Sequence, residues 1–194
     1  MSTLSDILEH NERFVREREY QEFLTDRFPN KRLVVVTCMD TRLVELLPRA
    51  MNLRNGDVKM IKVAGGIVAH PFGSVMRSIM VAVYKLDANE IAVVGHHGCG
   101  MVDLNGDEIL ELSRKAGVSD DVLNTLDHAG IDLHQWLTGF KSVQEGVRSS
   151  VKMIRDHPML PKGIPVHGLI MDPVTGKLDL LDDGYAVERS STAN

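Results

Sequence analysis

Two short runs of β-branched and aliphatic residues, each cut off by metal-binding or charged side chains, constrain this 194-residue chain more than any other feature. The first, Arg32 to Thr37 within KRLVVVTCMDTRL, has no polar alternation. Such a run reads as a strand buried on both faces, as the strands of parallel sheets are. It ends in Cys38, Asp40 and Arg42. The second, Glu90 to Gly95, ends in His96, His97 and Cys99. The chain has two cysteines in all, and they stand in equivalent places, just past the end of a strand.

The rest of the chain fits around these runs. A short helix is expected near Leu43 to Met51, a turn at Asn55-Gly56-Asp57 and a second strand over Val58 to Val63. Gly65-Gly66 interrupts the pattern, and a helix from about Phe72 to Leu86 puts Val75, Ile79, Val83 and Leu86 on one stripe. Short helices are predicted over Asp107 to Ala116 and Ser119 to Ala129. A long one is predicted over His134 to Asp156, with Trp136, Phe140, Val143, Val147, Val151 and Ile154 as its core stripe. Ile164 to Met171, a turn at Pro173 to Gly176, and Lys177 to Leu181 read as a strand and hairpin. Strands alternating with helices imply an α/β fold with an open, mainly parallel sheet flanked by helices. In such sheets ligands bind beyond the carboxyl ends of the strands, where Cys38 and the His96/Cys99 pair lie.

The expected organisation is a single domain over residues 1–194. It opens with a helical arm at 1–30, whose candidate buried positions are Leu4, Ile7, Leu8, Phe14, Val15 and Phe23, and closes with a small polar tail at 186–194 expected to fray. Apolar and charged fractions of 43% and 25% are those of an ordinary soluble protein. A net charge of -5, with no Lys/Arg cluster, argues against a nucleic-acid partner. The charged N-terminus has no apolar core of a signal peptide, and no run approaches the roughly 20 apolar residues that span a bilayer. A cytoplasmic location without membrane association follows as the expectation, with both cysteines reduced.

Zinc takes four tetrahedral ligands from Cys, His or carboxylate, and catalytic sites leave one of the four places to water. Cys38, with His96 or His97, and Cys99 supply three. Two cysteines exclude a four-thiolate site. Spacing alone also admits two packed thiols beside incidental histidines, an N-cap role for Asp40 and a solvated Arg42. A carboxylate and a guanidinium so close to a thiolate nevertheless suit a reacting anion better than packing, since arginine can hold the carboxylate in a bidentate pair.

Cys38-Met39-Asp40-Thr41-Arg42 followed by Gly95-His96-His97-Gly98-Cys99-Gly100 resembles the C-x-D-x-R and H-x-x-C-G motifs of the β-class carbonic anhydrases. The likeness runs from about Lys31 to Met101. It implies one Zn2+ per subunit held by Cys38, His96 and Cys99, with Asp40 and Arg42 as a catalytic dyad and Asp40 as a fourth ligand in a closed state. It also implies reversible hydration of CO2 to bicarbonate by zinc-bound hydroxide. The family works as a homodimer or larger homo-oligomer, with the N-terminal helix packed on a neighbour. Many members read R-N-A-G where this chain has Lys62-Val63-Ala64-Gly65.

A zinc-water pKa of about 7 belongs to a carbonic anhydrase with three histidine ligands, not to this chain. Two thiolates neutralise more of the metal's charge, so activity is expected to rise above neutral pH. His97 and His70 are the histidines nearest the motifs that could pass a proton to solvent. Carbonyl sulfide and carbon disulfide hydrolases keep the same zinc ligands and form the alternative reading. A non-catalytic zinc-binding module and a redox dithiol are the readings outside that chemistry.

Overall fold

A computed structural model describes residues 2–186. Its centre is a five-stranded sheet of β1 (Leu33–Cys38), β2 (Val58–Val63), β3 (Glu90–His96), β4 (Val166–Met171) and β5 (Leu178–Asp182), in the order β2-β1-β3-β4-β5. The first four strands run parallel, and β5 returns antiparallel to β4. The chain leaves β1 for one side of it and then places β3 on the other. The switch of direction therefore falls between the carboxyl ends of β1 and β3, where such sheets bind ligands.

The apolar runs are buried as their lack of alternation requires. Val34 and Val36 face one layer with Ile91, Val93, Val166 and Ile170, while Val35 faces the other with Ala92, Val94 and Met171. Helices α3 (Ser74–Lys85) and α7 (Val143–Arg155) cover the first face through Met76, Ile79 and Ala82 and through Val147, Val151 and Ile154. Each fully buried aliphatic side chain contributes about 2 kcal/mol. The second face is covered by Leu43 and by Leu47 of α2 (Leu46–Ala50). Helix α7 lies close on the sheet because Gly95 and Gly168 leave room. A Cβ at Gly95 would stand 2.7 Å from Val147 Cγ2, and one at Gly168 would stand 2.9 Å from Val147 Cγ1.

Three short helices, α4 (Gly106–Lys115), α5 (Asp120–His128) and α6 (Leu133–Leu137), leave the sheet after Cys99 and return before α7. The long helix expected over His134 to Asp156 is thus two helices. Phe140 N–H donates to Met101 O, Gly139 N–H to Leu104 O and Asp103 N–H to Phe140 O, which draws this backbone out of helical pairing. Ser142 then caps α7 by accepting from Glu145 N–H. Trp136, expected in the core stripe, is 70% exposed.

Helix α1 (Thr3–Arg16) forms where the arm was expected, but its candidate positions are not buried within this chain. It has no buried residue, and Leu4, Ile7, Leu8, Val15 and Phe23 of the arm are exposed while Phe14 is half-buried. The tail at 186–194 lies outside the described residues except for Ala186. Among the described residues no helix is long and apolar enough to cross a membrane.

Candidate metal centre

Strand β1 delivers Cys38 as its last residue and β3 delivers His96 as its last; one tight turn later, through Gly98 at φ +63°, comes Cys99. All three are buried, at 6%, 0% and 7% exposure. Their donor atoms lie within 4.8 Å of one another, and the two sulfurs are 3.9 Å apart. Two zinc–thiolate bonds at a tetrahedral angle would separate the sulfurs by about 3.8 Å. The spacing suits one ion.

His96 Nδ1 lies 3.0 Å from His97 O, so Nδ1 carries the proton and donates it to that carbonyl. Nε2 is then left with a lone pair. It is buried, has no hydrogen-bond partner and faces the sulfurs. A buried polar atom without a partner is costly, and a metal ion would remove that cost. His97 is exposed, and it is His96 that stands with the two cysteines in the donor cluster. His70 is also exposed, with Nδ1 accepting from Phe72 N–H.

The thiols are prepared unequally. Burial pushes Cys38 up, but attraction to the facing His96 and backbone N–H groups of Asp40 and Gly65 outweigh it and bring the thiol down to about 7. Burial pushes Cys99 up, and proximity to Cys38 adds to this, against one N–H from Met101. The facing Cys38 raises His96, with burial opposing.

Asp40 is both the N-cap of a short 3₁₀ turn (Thr41–Leu43) and half of an ion pair. Its Oδ1 accepts from Arg42 N–H and Arg42 Nε, each at 2.9 Å, and its Oδ2 accepts from Arg42 Nη2 at 2.7 Å. Arg42's hydrogen bonds hold the carboxyl well below the usual carboxylate range. Oδ2 also lies 3.7 Å from His96 Nε2, which brings the dyad to the edge of the donor cluster. Arg42 Nη2 donates a further bond to Gly98 O at 3.0 Å, joining the β1 motif to the turn between His96 and Cys99.

All five residues named from the sequence, Cys38, Asp40, Arg42, His96 and Cys99, are thus brought together. The supporting groups were not named: the carbonyls of His97 and Gly98, and the Gly65 amide. Gly65 and Gly66 have φ of +70° and +64°, and a Cβ on Gly66 would stand 2.7 Å from Cys38 N. The adjacent glycine pair was a visible signal, but what it touches follows only from the folded path.

Comparison with known proteins agrees with this geometry. The family model described as carbonic anhydrase matches residues 33–178. The Bacillus subtilis protein named "Putative carbonic anhydrase YvdA" is 60% identical over 188 residues, covering 97% of this chain and 95% of its own. The structure of β-carbonic anhydrase isoform I from Trichomonas vaginalis superposes with a TM-score of 0.87 at 32% identity, covering 95% of this chain and all of that one. A carbon disulfide hydrolase from Acidithiobacillus thiooxidans is 30% identical over 159 residues, 77% of this chain and 76% of that protein. The chain belongs to the β-carbonic anhydrase family.

Proposed function

We propose that this protein is a cytoplasmic zinc enzyme that interconverts carbon dioxide and bicarbonate, acting as a homo-oligomer. The reading is carried by the buried His96 Nε2, which has no partner and faces two thiols at zinc-ligand spacing. Cys38, His96 and Cys99 would hold the ion. Bound there, zinc supplies Lewis acidity that makes hydroxide available from water near neutral pH.

The chain's own residues account for the remaining work. Asp40 is ionised throughout the working range, because Arg42 depresses its pKa. Its Oδ2 accepts a hydrogen bond from water beside the donor cluster and turns that water's lone pair toward substrate. Arg42 fixes the carboxylate by two contacts and is itself fixed by Gly98 O. With Oδ2 engaged by Arg42, the arrangement in which Asp40 leaves the fourth place to water is favoured. Both cysteines are free, as suits a reducing compartment.

Homo-oligomerisation is supported by α1. A 14-residue helix with no buried residue is marginal by itself, and its stripe of Leu4, Ile7 and Leu8 needs a partner surface. A second copy of this chain is the occupant we assign.

Stopped-flow CO2 hydration on the zinc-loaded protein, with Cys38→Ser as the blank, tests the reaction. Fast hydration that disappears in the variant is expected. The 30% identity to a protein named carbon disulfide hydrolase motivates one alternative. Sulfide release from carbon disulfide without CO2 hydration, on fully loaded protein, would assign the scaffold to that reaction instead.

A further inference from the structure

At the opposite end of the sheet from the metal centre, the first residues of β3 and β4 enclose another of the buried histidines. His167 is 8% exposed. Its Nδ1 accepts a hydrogen bond from Gly184 N–H at 3.1 Å, which requires the proton to sit on Nε2. Nε2 lies 3.1 Å from Glu90 Oε1, yet off the line of a formed hydrogen bond. Asp183 Oδ1 stands 3.7 Å from Nδ1, and the Tyr185 ring packs on the imidazole at 4.8 Å between centroids. Gly184 itself lies tight on β4, since a Cβ there would stand 2.5 Å from Val166 N. From α7, Arg155 donates to Val166 O at 2.8 Å and pairs with Asp182 at 2.9 Å. The imidazole therefore has a carboxylate on either side, from β3 and from the segment after β5. Arg155 is thereby committed to Asp182 and Val166.

We infer that His167 is a proton-operated catch on the segment that follows β5, holding Gly184 when neutral and releasing it when protonated. A second proton can bind only at Nδ1, the atom that accepts from Gly184. Two N–H groups cannot face each other at 3.1 Å, so the amide must leave. The new Nδ1–H then turns to Asp183 Oδ1, while Nε2–H draws on Glu90. The exchange of partners has a carboxylate acceptor waiting on each side. Tyr185, whose ring lies tilted against the imidazole, moves with the same segment. Hydration of CO2 releases protons, so under the reading proposed above this catch would respond to the enzyme's own product. Its operation does not depend on that reading, because no metal ligand takes part.

The test is backbone amide exchange of the full-length protein, corrected for intrinsic rates, from about pH 8 to about pH 5. Protection of Gly184 should fall by about fivefold or more between those two pH values, the loss of one net hydrogen bond, while Ile91 to Val94 of β3 stay protected. In His167→Asn the Oδ1 atom takes the place of Nδ1 as an acceptor that cannot be protonated, so Gly184 should stay protected throughout. Protection in the native protein that does not change with pH would overturn the proposal, and so would a drop that persists in the variant. Should His167→Asn fail to fold, ring nitrogen NMR of the native protein decides. Nδ1 unprotonated at pH 8 supports the catch, and Nδ1 protonated there overturns it. CO2 hydration is measured on the same samples, so failure of the catch and failure of the enzymatic reading are told apart.

Discussion

Replacing Asp40 by Asn separates the dyad's chemistry from its architecture, because the two side chains have the same shape. The cap survives, since Asn serves as well as Asp at an N-cap and its oxygen can still accept from Arg42 N–H and Nε. What is lost is the contact at Oδ2, where an amide N–H would meet Arg42 Nη2 at the 2.7 Å now spanned by a charge-assisted bond. The Arg42 side chain is 45% exposed, so solvent screens much of that pair. A loss of about 0.5 to 1 kcal/mol is expected, which for a chain of this length lowers Tm by roughly 1 to 4 °C. Arg42 keeps its bond to Gly98 O, so the turn carrying His96 and Cys99 should hold its place. Zinc content should remain one per chain. Turnover should not survive, because an amide cannot serve as the proton acceptor, and loss of such a group typically costs about a hundredfold or more. The assay is stopped-flow CO2 hydration beside metal analysis and thermal melting of the same preparation. Full activity in the variant would refute the catalytic role. Loss of zinc together with a large fall in Tm would show instead that Asp40 is chiefly structural.

Zinc affinity of the metal-free chain should rise with pH, since Cys38 sits at about 7 and Cys99 is raised above the ordinary thiol value. About one proton should be released per zinc above pH 7 and about two or more below it, and a chelator competition that shows no pH dependence would contradict this. Gly66→Ala places a Cβ 2.7 Å from Cys38 N and 2.9 Å from Thr37 C at a φ of +64°. It should cost about 2 to 4 kcal/mol in denaturant unfolding and lower zinc content, because the clash is with the backbone that carries Cys38. Ile7→Glu puts a charge in the apolar stripe of α1, which makes no buried contact in its own chain. Sedimentation should show a shift toward smaller species with the unfolding midpoint little changed, and an unaltered assembly would move the interface elsewhere.

The strands were legible because their signal is local. Val34 to Val36 and Ile91 to Val94 must be buried on both faces whatever the rest of the chain does, and the structure extends the expected ends by only a residue. The break between α6 and α7 was not legible. Trp136, Phe140, Val143 and Val147 keep helical spacing across it, and nothing nearby in sequence announces that Met101 and Leu104 will pair with Gly139 and Phe140. A tertiary hydrogen-bond ladder overrode a sound local period. What covers the arm was not legible for a related reason. Amphipathic spacing says that α1 has an apolar face, and says nothing about which molecule covers it.

The site divides along the same line. Cys38, Asp40 and Arg42 could be read together because they are two residues apart at a strand end. His96 and Cys99 were legible for the same reason. Their union depends on β1 and β3 being neighbours, which the alternation of strands and helices makes probable in kind and the topology makes actual. Side-chain identity therefore announced the donors, whereas the groups that prepare them are peptide units: His97 O orienting His96, Gly98 O fixing Arg42, and the N–H groups of Gly65 and Met101 beside the thiols. Every residue carries such units, so composition cannot mark the ones that matter. Departures from a family motif in this neighbourhood follow the same logic. Lys62 and Val63, where many members carry arginine and asparagine, leave the backbone of the Gly65-Gly66 turn to hold Cys38, and that turn tolerates no side chain at Gly66.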